Sequence, residues 1–283
     1  MPQQVSEPPE AVTVLGVRFD NLTRRDAAQA IAKLAGGDGK AYVVKPYSEF
    51  MPVAVGDERV RDVLNGAALC LPDGVGIVWA AHYLSLPGGG LRALLQLAPS
   101  LLSLVFRSAT PGEPIAEQMG GPDLTWPMLR ALDEAEATVY LLGGTTDEVS
   151  GARRRIEERF QRLRIVGSRE GYFRTQGAEN DSVIGAINEA APQVLLVGMG
   201  FPRQELWIAD NLPRLQVNVA VAEGGSFSFM SGEVGRAPRW VRRIGLEWLY
   251  RLGRQPWRLR RQLRLPQFVA LVVRERLRAG RET

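Results

Sequence analysis

Cysteine and histidine each occur once, as Cys70 and His82. A single thiol excludes a disulfide framework, and one thiol with one imidazole excludes a zinc or iron–sulfur site built from several soft ligands. A serine–histidine dyad is confined to one position. No two aspartates are separated by a single residue, so the Asp-x-Asp metal clamp is missing. Neither a metal nor an organic cofactor is expected. Lysine is scarce too: Lys33, Lys40 and Lys45 stand against 32 arginines. The most apolar stretch, Leu91–Phe106, is broken by Pro99 and falls short of the ~20 residues a spanning helix needs. The first ten residues carry Pro2, Pro8 and Pro9 but no apolar segment of the secretory kind, so a cytoplasmic protein is expected. No repeat period points to a solenoid.

What is present is ordinary globular material with uneven charge. The 283 residues are 45% hydrophobic and 23% charged, enough for a sizeable core. The net charge of +4 conceals an asymmetry: from Arg236 onward there are 14 arginines against 3 glutamates, a net of +11, which leaves −7 for residues 1–235. Base composition can favour arginine over lysine, but it does not gather the charge at one end. The basic end predicts a polyanionic partner. Trp240, Trp248, Tyr250 and Trp257 lie among the arginines, a mixture suited to lipid headgroups and to nucleic acid alike. Arg251, Arg254, Arg258 and Arg261 follow one another at helical spacing, so they share one face; a solvated basic stripe is the plain alternative.

The rest of the chain alternates short β-branched runs with longer helical patterns. Val12–Phe19 reads as a strand or the start of a hairpin, and Asp20–Thr23 as a cap before a helix over Arg24–Leu34. Strands are expected at Ala41–Val44, Ala67–Leu71, Thr138–Leu142, Arg164–Ser168, Val194–Val197 and Val217–Val221. Helices are expected at Arg59–Asn65, Val75–Tyr83, Glu148–Arg162, Asp181–Glu189 and Gln204–Asn211. The fold class is therefore α/β: a mostly parallel, Rossmann-like sheet covered by helices on both faces, with a basic helical appendage at the C-terminus. The expected organisation is an arm over residues 1–10, a core over 11–235 and an Arg/Trp-rich appendage over 236–283. The nearly uncharged insertion over 84–110 reads as an interfacial element or as a core or oligomer-contact helix.

In such sheets ligands collect at the carboxyl ends of the strands. Asp73 stands there, in Pro72-Asp73-Gly74, where it either caps the next helix or acts as a general base toward a hydroxyl. Gly143-Gly144 resembles a turn whose bare N–H groups approach a diphosphate. Gly198-Met199-Gly200 leads through Pro202 to Gln204 and Glu205, a pair able to hydrogen-bond a sugar or uracil, although Glu205 also suits a helix dipole. Gly224 and Gly225 end a further strand.

Taken in order, Pro72-Asp73-Gly74, Gly143-Gly144, Gly171-Tyr172-Phe173, Gly198-x-Gly200-x-Pro202-x-Gln204-Glu205, Gly224-Gly225-Ser226-Phe227, Arg236-Ala237-Pro238 and Gly245-Leu246-Glu247-Trp248 resemble the WecG/TagA/CpsF family of bacterial glycosyltransferases, glycosyltransferase family 26. The resemblance runs from about Val14 to Arg261. It implies an inverting, metal-independent enzyme that moves a sugar, often N-acetylmannosamine or its uronic acid, from a UDP donor to a polyprenyl-diphosphate-linked acceptor. The place implied is the inner face of the cell membrane, peripherally bound, in teichoic acid, capsule or exopolysaccharide synthesis. Asp73 matches the family's proposed base and Gln204 its donor-site glutamine. Arg251, Arg258 and Arg261 match its C-terminal arginines, in an appendage that helps close the site and engages the membrane. With Arg236 they form the expected diphosphate and acceptor set. The donor set is Lys45, Tyr47, Gly143, Gly144, Gly198, Gly200, Gln204, Glu205, Gly224 and Gly225. Partners implied are the UDP-sugar, the lipid-linked acceptor, the membrane surface and a further copy of the chain, and not nucleic acid.

Departures gather near the presumed donor pocket. Lys45-Pro46-Tyr47 replaces the family's Thr-x-Asn, while Gln118 and Ser228 stand where arginine and aspartate are usual, and Gln255 replaces a glutamate. Lys45 is a candidate to restore the charge missing at Gln118. A different donor sugar, a silent scaffold and a nucleic-acid binder are the competing readings.

Overall fold

In the computed structural model, the described residues are 10–106, 114–233, 250, 253 and 259–279. The chain opens with a hairpin of β1 (Ala11–Val14) and β2 (Val17–Asp20), paired antiparallel. Leu15 and Gly16 turn it, both at positive φ as a tight two-residue turn requires. Thr23 then caps α1 (Arg24–Ala35), its hydroxyl accepting the Asp26 N–H.

Six strands form a wholly parallel sheet: β3 (Ala41–Val44), β4 (Leu69–Cys70), β5 (Thr138–Gly143), β6 (Arg164–Arg169), β7 (Val194–Gly198) and β8 (Val219–Ala222). Their order is β4-β3-β8-β7-β5-β6, so the late strands β7 and β8 fill the centre between two earlier pairs. Helices connect them: α2 (Met51–Gly56), α3 (Glu58–Asn65), α4 (Val75–Ser85), α5 (Gly90–Phe106), α6 (Gly121–Glu134), α7 (Thr146–Arg159), α8 (Ala178–Ala190), α9 (Arg203–Asn211) and α10 (Ser226–Met230). Two more, α11 (Leu259–Gln262) and α12 (Arg264–Ala279), lie near the C-terminus.

The expected α/β class holds, and the alternation along each strand explains why both faces are covered. On β7, Val194 and Leu196 enter the core shared with α1, α6, α7 and α10; Leu195 and Val197 enter the opposite core, with α3, α4, α8 and α9. The lone thiol, Cys70, is fully buried in the second of these cores. Desolvation pushes it well above its ordinary range, so it is a packing residue rather than a reactive one.

Two elements differ from the sequence expectation. No element is expected from the sequence over α6, within which both Pro122 and Pro127 fall. Pro122 occupies the first turn, where an N–H has no helical acceptor to lose, and Leu124, Met128, Leu129 and Leu132 bury one face. The appendage also reaches back: Phe268 and Val272 of α12 are buried in the core beside α2 and α4, and the Leu15 N–H donates to the Glu275 carboxylate at 2.9 Å.

Candidate active site

The parallel strands deliver their carboxyl ends to one edge, and most of the residues expected in the site meet there. Lys45 follows β3, and its ammonium donates to Glu223 Oε1 at 2.6 Å. Both side chains are almost wholly buried, at 3% and 0% exposure. The other oxygen, Glu223 Oε2, accepts the Thr125 hydroxyl of α6 at 2.7 Å. Ion pair and hydroxyl thus join β3, β8 and α6 beneath the edge, and the charge of Lys45 is matched inside the protein. The backbone carbonyl of Gln118 accepts Arg24 Nε at 3.0 Å.

Asp73 is half-buried and follows β4. A parallel bridge with Tyr47 fixes its backbone, and its N–H donates to the Pro46 carbonyl at 3.1 Å. The capping position of α4 belongs to Gly74 at φ +83°, so Asp73 is not the helix cap that a Pro-Asp-Gly turn suggests. Across from it, the Met119 N–H donates to the Pro72 carbonyl at 2.7 Å, which sets the start of α6 against this turn. A Cβ placed on Gly120 would lie 3.5 Å from Asp73 Oδ1 and 3.6 Å from Asp123 Oδ2, so the two carboxylates flank one glycine. Asp123, in the motif Gly121-Pro122-Asp123-Leu124 that also carries the family resemblance, is not among the residues expected in the site.

Gln204 ties two loops. Its Oε1 accepts the N–H groups of Gly200 and Gly224, each at 3.1 Å, which fixes the amide's orientation. Its Nε2 therefore donates to Glu205 Oε1, at 2.8 Å. Glu205 Oε2 is buried with no hydrogen-bond partner among the described residues. Burial pushes this carboxyl from its ordinary 4.5 up to about 7, against the opposing hydrogen bond from Gln204. One oxygen accepts from Gln204 while the other has no partner, so burial outweighs the single hydrogen bond in setting the direction of the shift.

Stability follows from that shift. Between pH 4.5 and 7 the folded protein holds a proton that the unfolded chain has released. The contribution is whole below the unfolded value and is lost as pH rises toward 7, by about 3 kcal/mol. Urea denaturation from pH 5 to 8 should show this decline, and Glu205→Gln should flatten it. Parallel profiles for the two proteins would count against the assignment.

The Gly143-Gly144 turn is occupied by the protein itself. The Gly144 N–H donates to the Gly198 carbonyl at 3.0 Å, and the Thr145 N–H to Glu148 Oε2 at 2.8 Å in a reciprocal capping box. The glycines are needed for closeness: a Cβ at Gly143 would come within 2.5–2.6 Å of the Gly198 backbone. Gly225 is exposed at the start of α10. On the β3 side Tyr47 lies against Phe50, ring centroids 3.8 Å apart, and Phe50 stacks on Phe201 at 3.5 Å, giving an aromatic wall between the β3 and β7 loops.

Arg236, Arg251 and Arg258 lie outside the described residues, and Arg261 is described only by its backbone, in α11. Among the described residues no group of three or more His, Cys, Asp or Glu could hold a metal ion.

Comparison with known proteins adds the chemistry. The model of the glycosyl transferase WecG/TagA/CpsF family matches residues 12–108 and 100–282. A relative from Bacillus subtilis is 28% identical over 222 residues, covering 78% of this chain and 75% of its own. One from Bacillus spizizenii is 29% identical over 234 residues, 83% of this chain and 79% of its own. Another from Staphylococcus aureus strain MW2 is 25% identical over 265 residues, 93% and 92% of the two chains. All three are named N-acetylglucosaminyldiphosphoundecaprenol N-acetyl-beta-D-mannosaminyltransferase.

Proposed function

This chain belongs to the WecG/TagA/CpsF family of glycosyl transferases, and on that premise we propose that it moves an N-acetylmannosaminyl group from UDP onto a sugar carried by undecaprenyl diphosphate. The reaction is one displacement with inversion. The acceptor hydroxyl oxygen attacks the anomeric carbon, its proton passes to Asp73, and the bond to UDP breaks with the electron pair leaving on the diphosphate. Tyr47, Gly198, Gly200, Gln204, Glu205, Gly224 and Gly225 line the donor side, with Lys45, Gly143 and Gly144 behind them. Arg236, Arg251, Arg258 and Arg261 supply the positive charge that the leaving diphosphate requires. The work is done at the inner surface of the cytoplasmic membrane, where such an acceptor resides.

The observation that carries this reading is Asp73. Its half-buried carboxylate stands at the carboxyl edge of a parallel sheet, in a turn whose helix is capped by the next residue. The relatives' shared name supplies the sugar and the acceptor. The test is direct: the purified protein, UDP-N-acetylmannosamine and a GlcNAc-diphosphate-lipid with a shortened isoprenoid chain should yield UDP and a disaccharide-lipid of the expected mass. UDP release without that product would refute the acceptor, and product from another UDP-sugar alone would refute the donor.

A further inference from the structure

Two carboxylates meet one glycine at the mouth of the sheet, and the displacement described above uses only Asp73. The other, Asp123, stands in the first turn of α6. Asp73, Gly120 and Asp123 are all half-buried, dry enough for a hydrogen bond to a charge to count and open enough for a sugar to reach. A Cβ on Gly120 would lie 3.5 Å from Asp73 Oδ1 and 3.6 Å from Asp123 Oδ2. Those two oxygens are therefore at most about 7 Å apart, a gap that two O–H···O⁻ bonds of about 2.6 Å and the width of a diol can bridge.

The chain around Asp123 is fixed on both sides. Before it, the Met119 N–H donates to the Pro72 carbonyl at 2.7 Å, which ties the entry of α6 to the Asp73 turn. After it, the Thr125 hydroxyl reaches Glu223 Oε2 at 2.7 Å, which ties the helix to the end of β8. Between them the Asp123 N–H donates to the Gly120 carbonyl at 2.7 Å, and a Cβ on Gly121 would stand 3.2 Å from Ser226 Oγ. Gly120 itself has φ −53° and ψ 136°, which any residue adopts. Its backbone does not call for glycine; what the missing side chain does is keep bare main chain between the two carboxylates. A first-turn aspartate also suits the helix dipole, but that plain role predicts a change in stability with no change in what binds.

We propose that Asp123 is an acceptor-binding residue: it accepts a hydrogen bond from the hydroxyl next to the attacking one on the acceptor ring, and so holds the attacking oxygen against Asp73. The inference rests on the transferase reading, in which Asp73 takes the acceptor proton. The two carboxylates divide the task, since one receives a proton during the displacement while the other only orients the ring. The acceptor class this selects is a sugar ring with two adjacent free hydroxyls. A ring lacking the second would leave a half-buried carboxylate without that donor, and such a loss discriminates more sharply than a missing apolar contact.

The experiment titrates the full chain, in the presence of UDP, with the GlcNAc-diphosphate-lipid of shortened isoprenoid chain and with its monodeoxy analogues. Asp123→Ala should weaken binding of the parent acceptor at least about tenfold and leave UDP affinity unchanged. Asp123→Asn, whose amide oxygen still accepts, should recover most of that loss. One monodeoxy analogue should bind the wild type as weakly as the parent binds Asp123→Ala, and should lose nothing further in that variant. Gly120→Ala, which the backbone accommodates, should weaken the parent severalfold by setting a methyl against both carboxylates. Thermal melts verify that each variant is folded. Equal binding of the parent acceptor by the wild type and by folded Asp123→Ala would overturn the proposal, as would losses from Asp123→Ala and from every deoxy analogue that simply multiply. Turnover separates this inference from the reading beneath it. An acceptor bound through Asp123 with no sugar transferred would condemn the transferase reading and leave the proposal, and transfer with acceptor binding indifferent to Asp123 would do the reverse.

Discussion

Asp73→Asn is expected to slow sugar transfer by about 10²–10⁴-fold while UDP still binds, because the carboxamide keeps the shape of the side chain and loses its capacity to take a proton. The turn is held by backbone bonds, from the Asp73 N–H to Pro46 and from the Met119 N–H to Pro72, and the helix that follows is capped by Gly74. None of these backbone bonds depends on carboxylate charge, and a thermal melt of the variant checks that it is folded. Steady-state turnover with a soluble acceptor, together with a titration of UDP, measures the two quantities separately. Loss of turnover with intact UDP binding assigns the base; unchanged turnover removes Asp73 from the chemistry. Asp123 is the natural comparison, being the other carboxylate against Gly120. If Asp123→Asn were the variant that lost turnover and Asp73→Asn were not, the base would have to be moved across that glycine.

The sequence displays the sheet well because each buried parallel strand is a short apolar run, and because glycine ends β5 and β7 where the backbones come closest. It displays the position of Asp73 for the same reason: a strand followed by Pro-Asp-Gly must bring that carboxylate to the sheet's edge. It hides α6, where Pro122 falls in the first turn but Pro127 lies inside the helix, which a buried face of Leu124, Met128, Leu129 and Leu132 holds together. It also hides what the site residues do to one another. Gln204 reads as a ligand for a sugar, yet its oxygen is already bonded to Gly200 and Gly224, twenty residues further on. The glycine pair at 143–144 reads as a cradle for phosphate, whereas its visible contacts are to Gly198 and the helix cap. Local patterns report local geometry. Which strands become neighbours is decided by the whole core, and Lys45 meets Glu223 across 178 positions only because β8 inserts beside β3.

That meeting carries the second large expectation, this one in stability. Lys45→Met should cost about 3–5 kcal/mol, since it leaves the Glu223 carboxylate buried without its cation. In a chain of this size the loss corresponds to a fall in melting temperature on the order of 10 °C. Thr125 cannot make up the difference, because its single hydroxyl proton is already shared between Glu223 Oε2 and the Gly121 carbonyl. Adding Glu223→Gln should recover most of the loss: the amide still accepts from Thr125, and no unpaired charge remains. The double-mutant cycle therefore distinguishes two roles for Lys45. A structural tie predicts strong coupling between positions 45 and 223 in melting temperature, with UDP-sugar affinity in the double variant close to that of the wild type. A donor ligand predicts the opposite, affinity lost in both lysine variants whatever stands at 223. The short, wholly buried bond between Lys45 and Glu223 favours the first.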